Sequence, residues 1–220
     1  FNNNDRPGIM LSSAVKKYAN FYGVVSGKKN VFFTNNDSAY ESAFCLHNKG
    51  IKVDSIIDIR ENSNSKIVKA VKEAGIKIHW SNTVVDTKGY KRLNSLSIMK
   101  LSNDGLTVTG DKINISCDCL GVAGGWTPAV HLFTQSGGKL DYNEKKHYFF
   151  PKKNTLNQIS VGSCNGTFGL NEIISESQEK TKEFLDIKET QQFNVLEPKS
   201  GFFENIWLLP SNKISGKTKS

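Results

Sequence analysis

The sequence predicts an α/β protein built on a Rossmann-like parallel sheet with a small antiparallel meander. Three observations carry that prediction. Short apolar runs alternate with amphipathic helical stretches from Val31 to Trp80, the period then falls to two between Thr83 and Val108, and a last apolar run, Cys117 to Ala123, stops at Gly124-Gly125. At 220 residues, 37% of them hydrophobic, the chain can bury a core as one large domain or two small ones.

Taken in order, Met10, Leu11, Ala14, Val15, Tyr18 and Tyr22 recur at helical spacing after a Pro7-Gly8 turn, with Ser12 or Ser13 as the cap and Gly23 as the stop. Val31-Phe32-Phe33 is a buried strand. The cluster Thr34-Asn35-Asn36-Asp37-Ser38 turns the chain into a helix carrying Ala39, Tyr40, Ala43, Phe44 and Leu46, closed by Lys49-Gly50. Val53 to Ile59 is a strand, Ile67-Val68 and Val71 mark a helix ended by Gly75, and Ile76 to Trp80 is a third strand. Short connections in this strand-helix order require right-handed crossovers and a parallel sheet. Thr83–Asp86, Leu93–Leu101 and Leu106–Val108, separated by turns at Lys88-Gly89 and Asn103-Asp104-Gly105, form the meander. Beyond a turn-rich stretch containing Pro151, Ile159–Gly162 reads as a short strand and Ile173–Leu185 as a helix; the rest ends in a basic tail, Lys213–Ser220.

The formal charge is +8, from 29 Lys+Arg and 21 Asp+Glu. Arg6, Arg60 and Arg92 are the only arginines, and the guanidinium fork is the group best matched to phosphates and base edges, so a Lys-, Asn- and Ser-rich surface argues against nucleic acid as a partner. No run of 18 apolar residues supports a membrane span, and no signal-peptide pattern is present. Cys45, Cys117, Cys119 and Cys164 lack zinc or redox spacing and read as buried thiols of a reducing, cytoplasmic protein. His47, His79, His131 and His147 have no ligand spacing. A start at Phe1, followed by the polar Asn2–Asp5, is read as an internal piece of a longer chain.

Three constellations bear on chemistry. In a dinucleotide-binding unit the first strand-to-helix turn is Gly-rich, so that amides approach the pyrophosphate, and an acid about 20 residues on holds the ribose. Asp58 has that offset, yet Thr34 to Ala39 contains no glycine, and the charge of Asp37 opposes a phosphate there; this unit is expected to keep the fold without a nucleotide in that turn. Gly124-Gly125-Trp126-Thr127-Pro128 permits close backbone approach, either of a ligand or of a crossing segment. The loop Gly162, Ser163, Cys164, Asn165, Gly166, Thr167, Phe168, Gly169, Leu170, opening a helix with Glu172, supplies amides and hydroxyls suited to a phosphate or ribose.

Four blocks resemble one family, the alpha subunit of heterotetrameric sarcosine oxidase. They are Asn4–Leu11 (N-D-R-P-G-I-M-L), Val31–Tyr40 (V-F-F-T-N-N-D-S-A-Y), Val84–Gly89 (V-V-D-T-K-G) and Gly124–Lys139 (G-G-W-T-P-A-V-H-L-F-T-Q-S-G-G-K), and the resemblance runs from residue 2 to about 185. The resemblance implies the same Asn-Asn-Asp turn in place of glycines. It also implies a subunit that holds NAD within a complex with beta, gamma and delta subunits, whose other cofactors are FAD and FMN. That complex oxidises sarcosine to glycine, forms hydrogen peroxide from oxygen and passes the one-carbon unit to tetrahydrofolate. The implied architecture has two dinucleotide-binding domains, one Rossmann-like unit being inserted into an FAD/NAD(P)-type domain. On it, residues 1–26 and 149–185 are return legs of the first domain, 27–148 the inserted unit, and 186–220 a linker and basic tail. The cofactor-contacting residues would be Gly162, Ser163, Cys164, Asn165, Gly166, Thr167, Phe168 and Leu170, with Gly124 and Gly125, and Ser163 stands where the two-domain flavoproteins carry Asp. Most NAD contacts would come from a Gly-rich turn upstream of Phe1, and no catalytic or metal-binding residue is expected in this chain. An independent NAD(P)H-dependent reductase would need a redox Cys pair or a complete Gly-rich turn, and a non-enzymatic binding module would use the Lys-rich face.

Overall fold

A computed structural model describes residues 1–152 and 157–186. The chain divides into two compact units, Phe1–Gly125 and one starting at Trp126. The expected linker and basic tail lie outside the described residues, apart from Asp186.

The first unit runs β1 (Ile9–Leu11), α1 (Ser12–Phe21), β2 (Asn30–Thr34), α2 (Ser38–Asn48), β3 (Val53–Asp58), α3 (Lys66–Glu73), β4 (Lys77–Trp80), β5 (Asn82–Lys88), β6 (Ser95–Leu101), β7 (Val108–Ser116) and β8 (Cys119–Ala123). The five-stranded sheet has the order β1-β8-β2-β3-β4 and is parallel throughout. β5, β6 and β7 form the antiparallel meander. Side chains alternate across the sheet and so build two cores. Phe32, Ile56 and Cys119 face α1, α2 and α3, where Val15, Tyr40, Leu46, Val68 and Val71 are buried. Val31, Phe33, Ile57 and Leu120 face the meander and pack against Val84, Leu96 and Ile98. Helices cover one face and the meander the other, so the central strands read as apolar runs.

Ile9, Met10 and Leu11 pair with Leu120, Gly121 and Val122, and Val15 and Ala19 of α1 enter the same core as α2. Three expectations are corrected. The third meander strand, expected at Leu106–Val108, runs from Val108 to Ser116, residues 106 and 107 belonging to the bend before it. Neither Ser12 nor Ser13 caps α1; the cap position is Leu11, and the Ser12 hydroxyl donates to Ser42 Oγ at 3.1 Å. Residues 159–161 form no strand, and Gly162–Asn165 is a 3-10 turn.

The second unit holds α4 (His131–Gln135), the hairpin β9 (Leu140–Asn143) and β10 (Tyr148–Pro151), the 3-10 turn, and α5 (Leu170–Leu185). Among the described residues no helix is long and apolar enough to cross a membrane.

Burial pushes the Cys117 and Cys119 thiols up to about 12, whereas Cys45 and Cys164 are half-buried. Thiolate is the reactive form. Iodoacetamide at pH 8 is therefore expected to label Cys45 and Cys164 in the native chain and to spare Cys117 and Cys119 until it unfolds, as peptide mass spectrometry would record.

Candidate functional site

In a parallel sheet a ligand sits beyond the C-terminal strand ends, against the turn that opens the next helix. In the first unit that place is formed by the β2–α2 turn and the ends of β3 and β8. Thr34, Asn35, Asn36 and Asp37 are all at most 4% exposed, and each is tied to a neighbour. The Thr34 hydroxyl donates to the Asn36 carbonyl at 2.8 Å and accepts the Asn36 amide at 3.0 Å. Asn36 Oδ1 accepts from the Ser38 amide (3.0 Å) and hydroxyl (2.6 Å), which engages the first amide of α2. Asn36 Nδ2 donates to the Ala123 carbonyl and Asn35 Nδ2 to the Gly124 carbonyl, so the strand ends are covered by side-chain amides of the turn itself.

Beneath this lies a buried charge cluster. Asp58, fully buried, accepts from the Tyr40 hydroxyl (2.6 Å), the Arg60 amide (2.9 Å) and the Arg60 guanidinium, whose Nη2 is 2.8 Å from Oδ2. The other arm of Arg60, Nη1, reaches Asp37 Oδ1 at 2.8 Å. Burial opposes the charge on Arg60, but the hydrogen bonds and charges of Asp58 and then Asp37 outweigh it and raise its pKa above the ordinary value. Burial, and then the Asp58 charge beside it, push the Tyr40 hydroxyl far above the usual phenol range. Tyr40 stacks on Trp80 at 6.2 Å, with Lys72 over the outer ring. Asp58, the acid at the ribose offset, is thus engaged by its own chain.

Gly124 and Gly125 follow β8. A Cβ at Gly124 meets open space, and Gly125 has φ +123°, so this turn needs glycine for its conformation at 125 and not for packing at 124. The remaining sequence-predicted residues belong to the second unit. There Gly162 and Gly166 have φ of +65° and +84°, and the Gly166 carbonyl accepts from the Tyr148 hydroxyl at 3.2 Å. A Cβ on Gly166 would lie 2.5 Å from that oxygen, so its conformation and packing both demand glycine. The loop's donors converge on Glu176, the Gly162 amide at 2.8 Å, Asn165 Nδ2 at 2.6 Å and the Thr167 side chain, joined by Lys180 Nζ of α5 at 3.2 Å. Ser163 is exposed, Cys164 is half-buried, and Phe168 meets the rings of Trp126 and Tyr148. Leu170 opens α5 and is exposed. The loop was visible in the sequence as a glycine cluster; Glu176, the group that fills it, was not singled out.

Partial burial works against the Glu176 charge, but the bonds from Asn165, Gly162, Thr167 and Lys180 hold its pKa below the ordinary glutamate value. A carboxylate lowered on folding stabilises the fold above its unfolded pKa, near 4.3, and loses that contribution as the pH falls through the lower folded value. The Gly162 amide is therefore expected to be protected from exchange at pH 6 and to open on acidification below about pH 4, a change that Glu176→Gln removes. An amide exchange series against pH checks this.

No family profile matches the chain. Of curated proteins, the sarcosine oxidase subunit alpha of Corynebacterium sp. (strain P-1) is 34% identical over 219 residues, covering 96% of this chain and 22% of the relative. Its counterpart from strain U-96 is 31% identical over 217 residues with the same coverage. That of Rhizobium meliloti (strain 1021) is 32% identical over 179 residues, 80% of this chain and 16% of its own length. Of solved structures, Mycobacterium tuberculosis FprA in complex with NADPH superposes with a TM-score of 0.57 at 10% identity, over 84% of this chain and 60% of that one. Thioredoxin reductase from T. acidophilum gives 0.55 at 16% identity over 80% and 55% of the two chains. The Lactococcus lactis thioredoxin reductase gives 0.52 at 17% over 72% and 54%. These structures share the α/β fold, with its parallel sheet and small meander. By an identity of 31–34% running along 80–96% of its own length, the chain is a relative of the sarcosine oxidase alpha subunits, of which it spans about a fifth.

Proposed function

We propose that this chain is a cofactor-binding and scaffolding part of an oxidoreductase subunit of the sarcosine oxidase alpha type. The observation that supports the reading is identity to those subunits along nearly the whole chain. In this reading the complex converts sarcosine, tetrahydrofolate and oxygen to glycine, 5,10-methylenetetrahydrofolate and hydrogen peroxide. The reaction takes place outside these residues, in a cytoplasmic assembly with beta, gamma and delta subunits that carries FAD and FMN.

NAD is the cofactor of this subunit, held mainly by residues beyond the present chain. The loop Gly162–Leu170 is its contact here, with Gly124 and Gly125 as secondary candidates. Because Glu176 already engages the loop's amide and side-chain donors, the loop suits a neutral ribose at the exposed Ser163 better than a phosphate. The fold division in the wider subunit follows the two-domain pattern, one dinucleotide-type unit being inserted into the other.

Titration of NAD into a longer alpha-subunit polypeptide that includes this chain tests the reading. Micromolar affinity, about −8 kcal/mol, is expected, with Ser163→Trp weakening it at least tenfold by filling the place of the ribose. A longer polypeptide that takes no NAD overturns it.

A further inference from the structure

A nucleotide-type unit is expected to receive its ligand at the β2–α2 turn, and the residues there do not fit one. A bound dinucleotide needs free amides at the helix start, room for its phosphates and an acid free to meet the ribose. Here the Ser38 amide is engaged by Asn36, the carbonyls of Ala123 and Gly124 are covered by Asn36 and Asn35, and residues 34–37 are buried. The acid, Asp58, is committed to Tyr40 and Arg60. What stands at the start of α2 is the carboxylate of Asp37, an anion at the positive end of a helix of 11 residues. Its counter-ion is Arg60, reaching over from the residue after Ile59 at the end of β3.

We propose that the Phe1–Gly125 unit carries its own ligand: Asp37 supplies the anion that a phosphate would bring, Arg60 ties that anion to Asp58, and the crevice takes no dinucleotide. The cluster then does what a bound nucleotide does in such a fold, joining the helix start to the ends of two strands. An ion pair with one partner removed leaves an uncompensated buried charge, whereas removing both partners relieves it, so the three residues are expected to be energetically coupled. The proposal holds wherever the larger subunit keeps its NAD, so the two readings fail separately.

Two measurements on the 220-residue chain test it. In urea unfolding, Arg60→Met should lower the folding equilibrium constant by about a hundredfold or more, and adding Asp37→Asn to that variant should recover at least about tenfold. Asp37→Asn alone should cost stability, so its effect changes sign between the two backgrounds. If Arg60→Met does not fold, the same comparison is made with Arg60→Lys, which keeps the charge but loses the two-armed reach. A cost within about threefold of wild type for Arg60→Met, or an Asp37→Asn effect equal in both backgrounds, overturns the proposal. In hydrogen exchange, the amides of Asn35, Asn36, Asp37 and Arg60 should exchange at the same rate with and without about 5 mM NADH. Slowing of these amides that saturates with NADH overturns it.

Discussion

Asp58→Ala is expected to destabilise the chain by about 3–5 kcal/mol, as removal of one partner from a buried ion pair does elsewhere. Asp58 is fully buried and receives the Tyr40 hydroxyl, the Arg60 amide and two guanidinium nitrogens. The substitution leaves Arg60 paired with Asp37 and strips the Tyr40 hydroxyl of its acceptor at a buried site. Asp58→Asn keeps an acceptor for Tyr40 while removing the charge, and should cost less. Denaturant unfolding followed by tryptophan fluorescence gives both numbers, since Trp80 stacks on Tyr40. A loss below about 1 kcal/mol for Asp58→Ala would mean that the cluster is not the anchor of the strand ends.

Phe32→Ala should cost a similar amount, about 3–5 kcal/mol, by a different route. Phe32 is the middle residue of β2, has no exposed surface, and turns its ring towards α1 and α2. The ring also lies over Gly121 of the neighbouring strand, where an added Cβ would come within 2.7 Å of Cδ1 and Cε1. Gly121 is thus shaped by Phe32, and Gly121→Ala should be less costly in the Phe32→Ala background than in the wild type, because the cavity left by the ring admits the methyl group. Equal costs in the two backgrounds would separate the residues. The same unfolding experiment measures all four chains.

The period of the apolar residues is enough for β2 through β4 and for the re-entry at β8, because strands buried on both faces read as continuous apolar runs, and for β5 and β6; β7, expected at Leu106–Val108, runs instead from Val108 to Ser116, where nearly every residue is exposed and no apolar period marks it. β1 was not visible: three residues, Ile9–Leu11, run directly into α1, and their apolar side chains also satisfy a helical period. The hairpin of β9 and β10 is short and half exposed, each strand having four residues with Pro151 at the end, so its aromatic run Tyr148–Phe150 does not stand out from the surrounding turns. Ile159–Gly162 has the composition of a strand but, among the described residues, no partner strand, and the Gly162 amide is spent on Glu176 instead of a ladder.

The charge cluster was half legible. Asp58 stood at the ribose offset and Asp37 was conspicuous in a turn without glycine, but their link through Arg60 depends on β2 and β3 lying side by side, which brings residues 37 and 60 together across the sheet end. A signal was present in the chain: a buried acid in such a turn requires a counter-ion, and Arg60 follows the strand end by two residues. The same logic recurs in the second unit, where a glycine loop of evident anion-binding form is satisfied by Glu176. In the second unit the donors that recommend a phosphate site on paper are met by a carboxylate from the following helix, and in the first the Ser38 amide is met by Asn36 while Asp37 places a carboxylate in the turn itself.

As proposed, this chain is a dinucleotide-type scaffold whose own crevice is filled from within, and the NAD proposed for the larger subunit is held chiefly by other residues. Calorimetric titration of NAD into the 220-residue chain tests this. No saturable heat is expected below about 1 mM, an affinity no stronger than about −4 kcal/mol. A single site of micromolar affinity on this chain alone would contradict it.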